Sequence, residues 1–284
     1  MNQQNEAAQI YSELAAKKTQ SQASWQASDY AQFATCLEPG LADFASRLTI
    51  MPGQQVLDVA CGSGNFALLA AERHAIVTGI DFNPDALAVA RQRAADAHVD
   101  IHFDEGDIEQ MPYAANTFDS AVSVFGIMFA INADAAAREV ARVTKSGGVL
   151  AIASWTADSL VGELSRVLAR YQPSDPKTRD NPGNKRTTGW GDVGQVSSYL
   201  EAYTRQLQLT KRMWRYEFPY GPSDVVHFFR QYASTHKLVF DRLGEADAEA
   251  LHHALEQVWV YHNQATDGTV IADAEYLDVT AVFK

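Results

Sequence analysis

Two glycines and three aspartates are the residues of this chain best suited to chemistry. Gly62 and Gly64 stand in Cys61-Gly62-Ser63-Gly64, and Asp58, Asp81 and Asp107 surround them in sequence. A Gly-x-Gly turn adopts dihedrals closed to other residues and lets a ligand approach the backbone. Gly62-x-Gly64-x-x-Ala67 also fits a dinucleotide turn, with an acid near the expected distance at Asp81, so the glycines alone do not choose the ligand. Asp58, placed before the turn, would repel a pyrophosphate seated at a helix start. It would tolerate or favour a ligand carrying an ammonium and a sulfonium instead. Asp81 offers two oxygens to a pair of ribose hydroxyls, and Asp107 an acceptor to an exocyclic adenine amine.

These residues need a frame to hold them. The apolar run Val56, Leu57, Val59, Ala60 enters the turn as a strand, Asn65 to His74 follows as a helix, and Ile76 to Ile80 is a second strand ending at Asp81. Asn83-Pro84 starts the next helix. Strands are expected at Ile101 to Phe103, Ser120 to Phe125 and Val149 to Trp155. A helix is expected from Asp134 to Thr144, closed by Ser146-Gly147-Gly148. Five strands alternating with helices predict a doubly wound parallel sheet. Upstream, Asn5 to Lys18 reads as an amphipathic helix with Ile10, Tyr11 and Leu14 on one side. Ser28 or Asp29 can cap a second helix carrying Tyr30 and Phe33. Downstream come a helix from Leu160 to Tyr171, a long polar surface loop from Gln172 to Trp190, a strand from Leu207 to Phe218, two helices (Ser223 to Phe240 and Glu245 to Asn263) and a last strand, Tyr276 to Phe283. The expected organisation is an N-terminal helical segment (1–50), a ligand-binding core (51–156) and a C-terminal part (157–284) in which a helical cap interrupts the last two strands.

Composition narrows the function further. The 284 residues carry a formal net charge of -12, which opposes a broad nucleic-acid surface; Lys211, Arg212 and Arg215 are the local exception and read as a solvated strand face. Cys36 and Cys61, the two cysteines, lack metal-type spacing, so neither a metal site nor a disulfide framework is expected. The N-terminus has no basic-then-apolar leader, and the longest apolar run, Ala121 to Ile131, is too short to span a bilayer. A cytoplasmic protein is expected.

Three acids at the carboxyl ends of adjacent strands fit S-adenosylmethionine (SAM) better than NAD. VLDVACGSGN, GIDFNPDALAVAR, GDIEQMPYAANTFD and REVARVTKSGGVLAIASW, in that order over Val56 to Trp155, resemble the motifs of class I SAM-dependent methyltransferases. The resemblance is to the small-molecule enzymes related to ubiquinone and menaquinone biosynthesis, the methyltransferase type 11 group. It implies a Rossmann-like α/β fold with a seven-stranded sheet whose last strand is antiparallel. It also implies cofactor contacts: Asp58, Ala60 and Gly62 around the methionine part, Asp81 on the ribose, Phe82 on the adenine face, Asp107 and Ile108 at the adenine edge, and Phe125 near the methyl channel. Trp25 and Tyr30 would close over the cofactor. Each acid also has a plainer role open to it: Asp58 as a brace for the turn, Asp81 as a helix cap and Asp107 as a turn former.

Methyl transfer asks the protein to orient the acceptor and exclude water. No motif assigns a general base; His227, Tyr232, His236 and His262, in the cap, are the candidates. Ser123-Val124-Phe125-Gly126 stands where adenine-amine methyltransferases carry Asn/Asp-Pro-Pro-Tyr/Phe, which argues against DNA methylation of that kind. Aromatic residues of the cap suggest a flat, apolar or cationic small-molecule acceptor, although they can equally be the cap's own core. The alternatives are an NAD-dependent oxidoreductase and a SAM-binding protein without catalysis.

Overall fold

The β1–α4–β2 unit sets the frame. In the computed structural model, which describes residues 2–26, 28–172 and 189–284, β1 is Gln55–Val59, α4 is Asn65–Glu72 and β2 is Ile76–Asp81. Val56, Leu57 and Val59 are fully buried on both faces of the sheet, which is why the first strand reads as an uninterrupted apolar run. Strand β3 (Ile101–Glu105), β4 (Phe118–Val124) and β5 (Thr144–Trp155) extend the sheet in parallel. Helix α5 (Pro84–Asp96) is capped by the Asn83 side chain, and α6 is Ala133–Val143.

The N-terminal segment folds as α1 (Asn2–Gln26), α2 (Tyr30–Ala34), a short 3-10 turn (Thr35–Leu37) and α3 (Glu38–Ser46). Asp29 caps α2, its carboxylate accepting the Gln32 N–H at 3.2 Å. Helix α1 runs a further two turns past the expected Lys18; the side chains of Ile10, Tyr11 and Leu14 lie outside the described residues. After α7 (Leu160–Arg170), most of the expected loop falls on 173–188, also outside them. Helix α8 (Val193–Leu200) was not expected; it buries only Val196 and Leu200, too few to give a helical apolar pattern.

The C-terminal part closes the sheet. Strand β6 (Thr204–Phe218) and β7 (Val270–Phe283) form a long antiparallel pair, and β7 also runs antiparallel to β5. The order is β3-β2-β1-β4-β5-β7-β6, a seven-stranded Rossmann-like α/β sheet whose last strand is antiparallel. Between β6 and β7 lie three helices rather than two: α9 (Pro222–Tyr232), α10 (Ser234–Phe240) and α11 (Glu245–His262). Ala233, extended at φ -86°, ψ 113°, breaks the first expected helix in two. Ser146-Gly147-Gly148 does not follow a helix end as expected. It lies inside β5, where pairing with β4 jumps from Phe118–Thr144 to Ser120–Val149, a bulge that Gly147 accommodates at φ +78°. The strand order reverses between β1 and β4, which places a crevice at their carboxyl ends.

Candidate functional site

That crevice is built on strained backbone. Ala60 (φ +56°) and Phe125 (φ +54°) are non-glycine residues in the left-handed region just past β1 and β4. Such conformations are costly and concentrate where a chain must take an unusual path at a site. Gly126 lies so close that a Cβ on it would stand 2.6 Å from Ala60 Cβ. The glycine turn follows, with Gly62 at φ +52° and Gly64 at φ +80°. Gly64 is the N-cap of α4 and has no side chain to cap with. Asp58 does that work from β1: its Oδ2 accepts the Ala67 N–H at 3.0 Å. Asp58 is thus a brace for the turn, and it also lines the cavity.

Both acids nearest the turn are buried. Asp58 is 2% exposed, and burial pushes its carboxyl up to about 8, with the Ala67 N–H partly opposing that shift. Asp81 is 7% exposed and is also pushed up by burial, against the backbone N–H groups it accepts. Its Oδ2 takes the Gly62 N–H and its Oδ1 the Asn83 N–H, each at 2.8 Å. Asp81 therefore ties the glycine turn to the end of β2, and its remaining lone pairs stay available to a ligand.

The N-terminal segment covers this floor. Tyr30 packs on Gly62 so closely that a Cβ there would lie 2.4 Å from Tyr30 Cε1. Trp25 meets the Tyr30 and Phe129 rings edge-on, at 5.6 and 4.8 Å between centroids. Gln22 Nε2 donates to the Phe82 carbonyl at 2.7 Å, and Asn83 Nδ2 to the Trp25 carbonyl at 3.4 Å. Lys18 reaches Asp107 Oδ2 at 2.5 Å and Glu109 Oε2 at 2.6 Å. Phe82 is half-buried and Ile108 buried. Helix α1 therefore lies across the carboxyl ends of β2 and β3. The cavity beneath α2 and α3, lined by Tyr30, Leu37, Leu41, Asp58, Ala60, Asn65, Val124 and Trp214 among others, measures about 30 Å³. Asp81, Phe82, Asp107 and Ile108 are not among its lining residues.

The structure does not gather the four candidate bases at this crevice. His227 is exposed on α9 with its ring 4.5 Å from that of His252, and His262 faces Glu163 on α7 at 3.0 Å. Tyr232 packs on Phe228. His236 is buried against Phe229, and burial pushes its imidazole down to about 3. None of the four lines the cavity. The cap aromatics fill one another: Tyr216, Phe218, Phe229 and Trp259 are each within 6.4 Å of two or more of the others and at most 5% exposed. They are the cap's own core. Sequence reasoning missed Lys18, Gln22 and Asn65, polar residues whose partners are distant in the chain. Asn65 was readable only as the first helical residue after the turn.

The comparisons bear on what such a crevice is for. A methyltransferase domain model matches residues 57–152. The Mycobacterium bovis protein Mb1438c is 33% identical over 198 residues, covering 69% of this chain and 70% of its own. A malonyl-[acyl-carrier protein] O-methyltransferase of Serratia marcescens is 41% identical over 165 residues, covering 58% of this chain and 59% of its own. Among solved structures, the YcgJ protein of Bacillus subtilis superposes with a TM-score of 0.57 at 17% identity, over 86% of this chain and 98% of that one, a likeness of fold. With the domain match on the motif-bearing strands and a seven-stranded sheet of this order around them, the chain belongs to the class I SAM-dependent methyltransferases.

Proposed function

We propose that this protein transfers the methyl group of SAM to a small-molecule acceptor, with the cofactor held over the glycine turn. The observation that carries this reading is the pair of buried acids, Asp58 and Asp81, on either side of that turn, with no Lys or Arg among the residues lining the cavity. With no cation there, nothing in the lining would neutralise a pyrophosphate, whereas an ammonium brought beside Asp58 would favour its ionised form. This lining speaks against the NAD alternative.

Asp58, Ala60 and Gly62 would hold the methionine part, Asp81 the ribose, and Phe82, Asp107 and Ile108 the adenine. Phe125 would stand by the methyl channel, with Trp25 and Tyr30 as the cover. When bound, SAM supplies an activated methyl group on a sulfonium. The protein's part is to orient the acceptor, keep water out and neutralise charge around the reacting atoms. Tyr30, packed on the turn, and Trp25, packed on Tyr30, would exclude water.

A small acceptor is favoured over a nucleic acid because the basic face of β6 is already neutralised. Lys211 pairs with Glu275 at 2.9 Å, Arg212 with Asp278 at 2.7 Å and Arg215 with Asp273 at 2.9 Å. Among the described residues no helix is long and apolar enough to cross a membrane.

Titration calorimetry with SAM, S-adenosylhomocysteine and NAD tests the cofactor. Binding of the first two and not the third is expected; binding of NAD alone would end the proposal. Incubation with labelled SAM and a panel of small acceptors tests catalysis. The panel includes a malonyl thioester, because the Serratia relative is named for that acceptor. Transfer to an acceptor is expected; SAM binding with no acceptor in a cell extract would point to the non-catalytic alternative.

A further inference from the structure

Trp214 carries a feature that the fold alone does not require. It is 1% exposed, and its indole Nε1–H has no hydrogen-bond partner among the described residues; Trp190 shares this orphaned N–H but does not line the cavity. Buried tryptophans ordinarily satisfy that N–H, because an orphaned donor loses its bond to water and gains nothing. The ring cannot turn away. Phe125 holds it edge-on at 4.6 Å and Tyr276 at 5.5 Å, with Phe44 and Trp155 slightly farther out.

The neighbouring helix makes room for this edge of the indole. A Cβ on Gly40 would fall 2.3 to 2.5 Å from Trp214 Cε2, Nε1 and Cδ2. Glycine inside a helix is disfavoured, yet α3 carries one here. Two unfavourable choices therefore coincide at one spot: a helical glycine and an unpaired donor. The indole packed against Gly40 accounts for the glycine; a bound molecule that pairs with the N–H accounts for the donor.

Trp214 lines the same cavity as Asp58 and Tyr30. If the amino-acid end of SAM enters there, its ammonium has Asp58, but its carboxylate finds no cation in the lining. It must be met by neutral donors. The donor side chains in the lining are the Tyr30 and Ser63 hydroxyls, the Asn65 amide, one of whose two hydrogens goes to the Ala34 carbonyl at 3.0 Å, and the Trp214 indole. Of these, Trp214 Nε1 is the one buried with no partner among the described residues.

We propose that the indole N–H of Trp214 binds the carboxylate at the amino-acid end of SAM. The proposal rests on the cofactor reading above and adds to it a binding residue from β6, more than fifty positions beyond the motif-bearing core. A hydrogen bond from a neutral donor to a charged acceptor is among the stronger kinds.

The test pairs a variant that removes only the donor with a ligand that lacks only the acceptor. Titration calorimetry would compare the natural protein and Trp214→Phe, each with SAM and with decarboxylated SAM. The expected result is at least a tenfold loss of SAM affinity in the variant and less than a twofold change for the decarboxylated compound. Equal losses for both ligands, or no loss for SAM, would overturn the proposal. Should Trp214→Phe fail to fold, the natural protein labelled with 15N-tryptophan gives a second readout. The Trp214 indole N–H resonance, assigned by elimination with Phe variants of the other four tryptophans, is expected to move downfield with SAM and not with the decarboxylated compound. The same shift with both ligands overturns the proposal. Failure of the natural protein to bind SAM at all would instead overturn the cofactor reading, and the Trp214 role with it.

Discussion

Asp58 shows how much one side chain can be asked to do. It caps α4 through the Ala67 N–H while sitting in an apolar crevice that raises its carboxyl to about 8. In the unfolded chain an aspartate titrates near 3.9. The folded protein therefore holds one more proton than the unfolded chain between about pH 4 and 8, so Asp58 makes stability fall as pH rises across that window. Thermal unfolding of the natural protein without ligand, followed from pH 5 to 9, is expected to show that decline. In Asp58→Asn, which keeps the acceptor oxygen and cannot ionise, the slope should be flatter; an identical slope would assign the decline to other groups. Gly62 is constrained differently. Ala at Gly62 must adopt φ +52° and push its Cβ into Tyr30 Cε1. Gly62→Ala is expected to destabilise by about 1–3 kcal/mol in denaturant unfolding and to weaken SAM binding by displacing Tyr30.

At the level of elements, α1 is the part most open to change. Lys18 occupies the Asp107 carboxylate that the proposed cofactor site assigns to an adenine amine, and the same ammonium reaches Glu109. Both members of the Lys18–Asp107 pair are partly exposed, so the pair is worth about 1 kcal/mol at most. Lys18→Met should change thermal stability little and speed association of S-adenosylhomocysteine a few-fold in stopped-flow mixing; a slower association would mean that Lys18 assists the ligand instead. This contact could not be read from sequence, because a lysine 89 residues from its partner on a polar helix leaves no pattern. The β1–α4–β2 unit was legible because its signals are local: apolar runs, glycines that take positive φ, and Asn83-Pro84 at a helix start. The bulge at Ser146 to Gly148 and the break at Ala233 were not. A glycine pair reads the same way at a helix end as in a bulged strand, and alanine carries no mark of an extended conformation. For Asp58 the reading left open, a brace for the turn, is the role the structure gives it through the Ala67 N–H. The cap aromatics show where sequence stops: density of rings does not distinguish a ligand box from a packed core.

The molecule as a whole joins a ligand floor made by the first half of the chain to a wall made by the last strands, and ion pairs secure that joint. Asp278 on β7 is 8% exposed and accepts from Arg212 Nε on β6 at 2.7 Å and from Arg47 Nε, just past α3, at 3.2 Å. Arg47 also donates to Tyr276 Oη and to Asp43. The N-terminal segment is thereby fixed to the far end of the sheet by its α3 end, while α1 reaches across β2 and β3. Helices α1 and α2 are held separately, through Lys18, Gln22 and the Ser28–Ser234 hydrogen bond at 2.6 Å, and are expected to be the piece that lifts when a ligand enters. Asp278→Ala would leave two guanidinium groups without their shared carboxylate. Both are partly exposed, so the expected cost is about 1–3 kcal/mol, below that of breaking a fully buried pair. If the anchor is separate from the ligand floor, S-adenosylhomocysteine affinity should stay within about twofold by calorimetry while the midpoint of thermal unfolding drops. A large loss of affinity at unchanged stability would show that α3 moves with α1, and the division into an anchored and a lifting piece would be wrong.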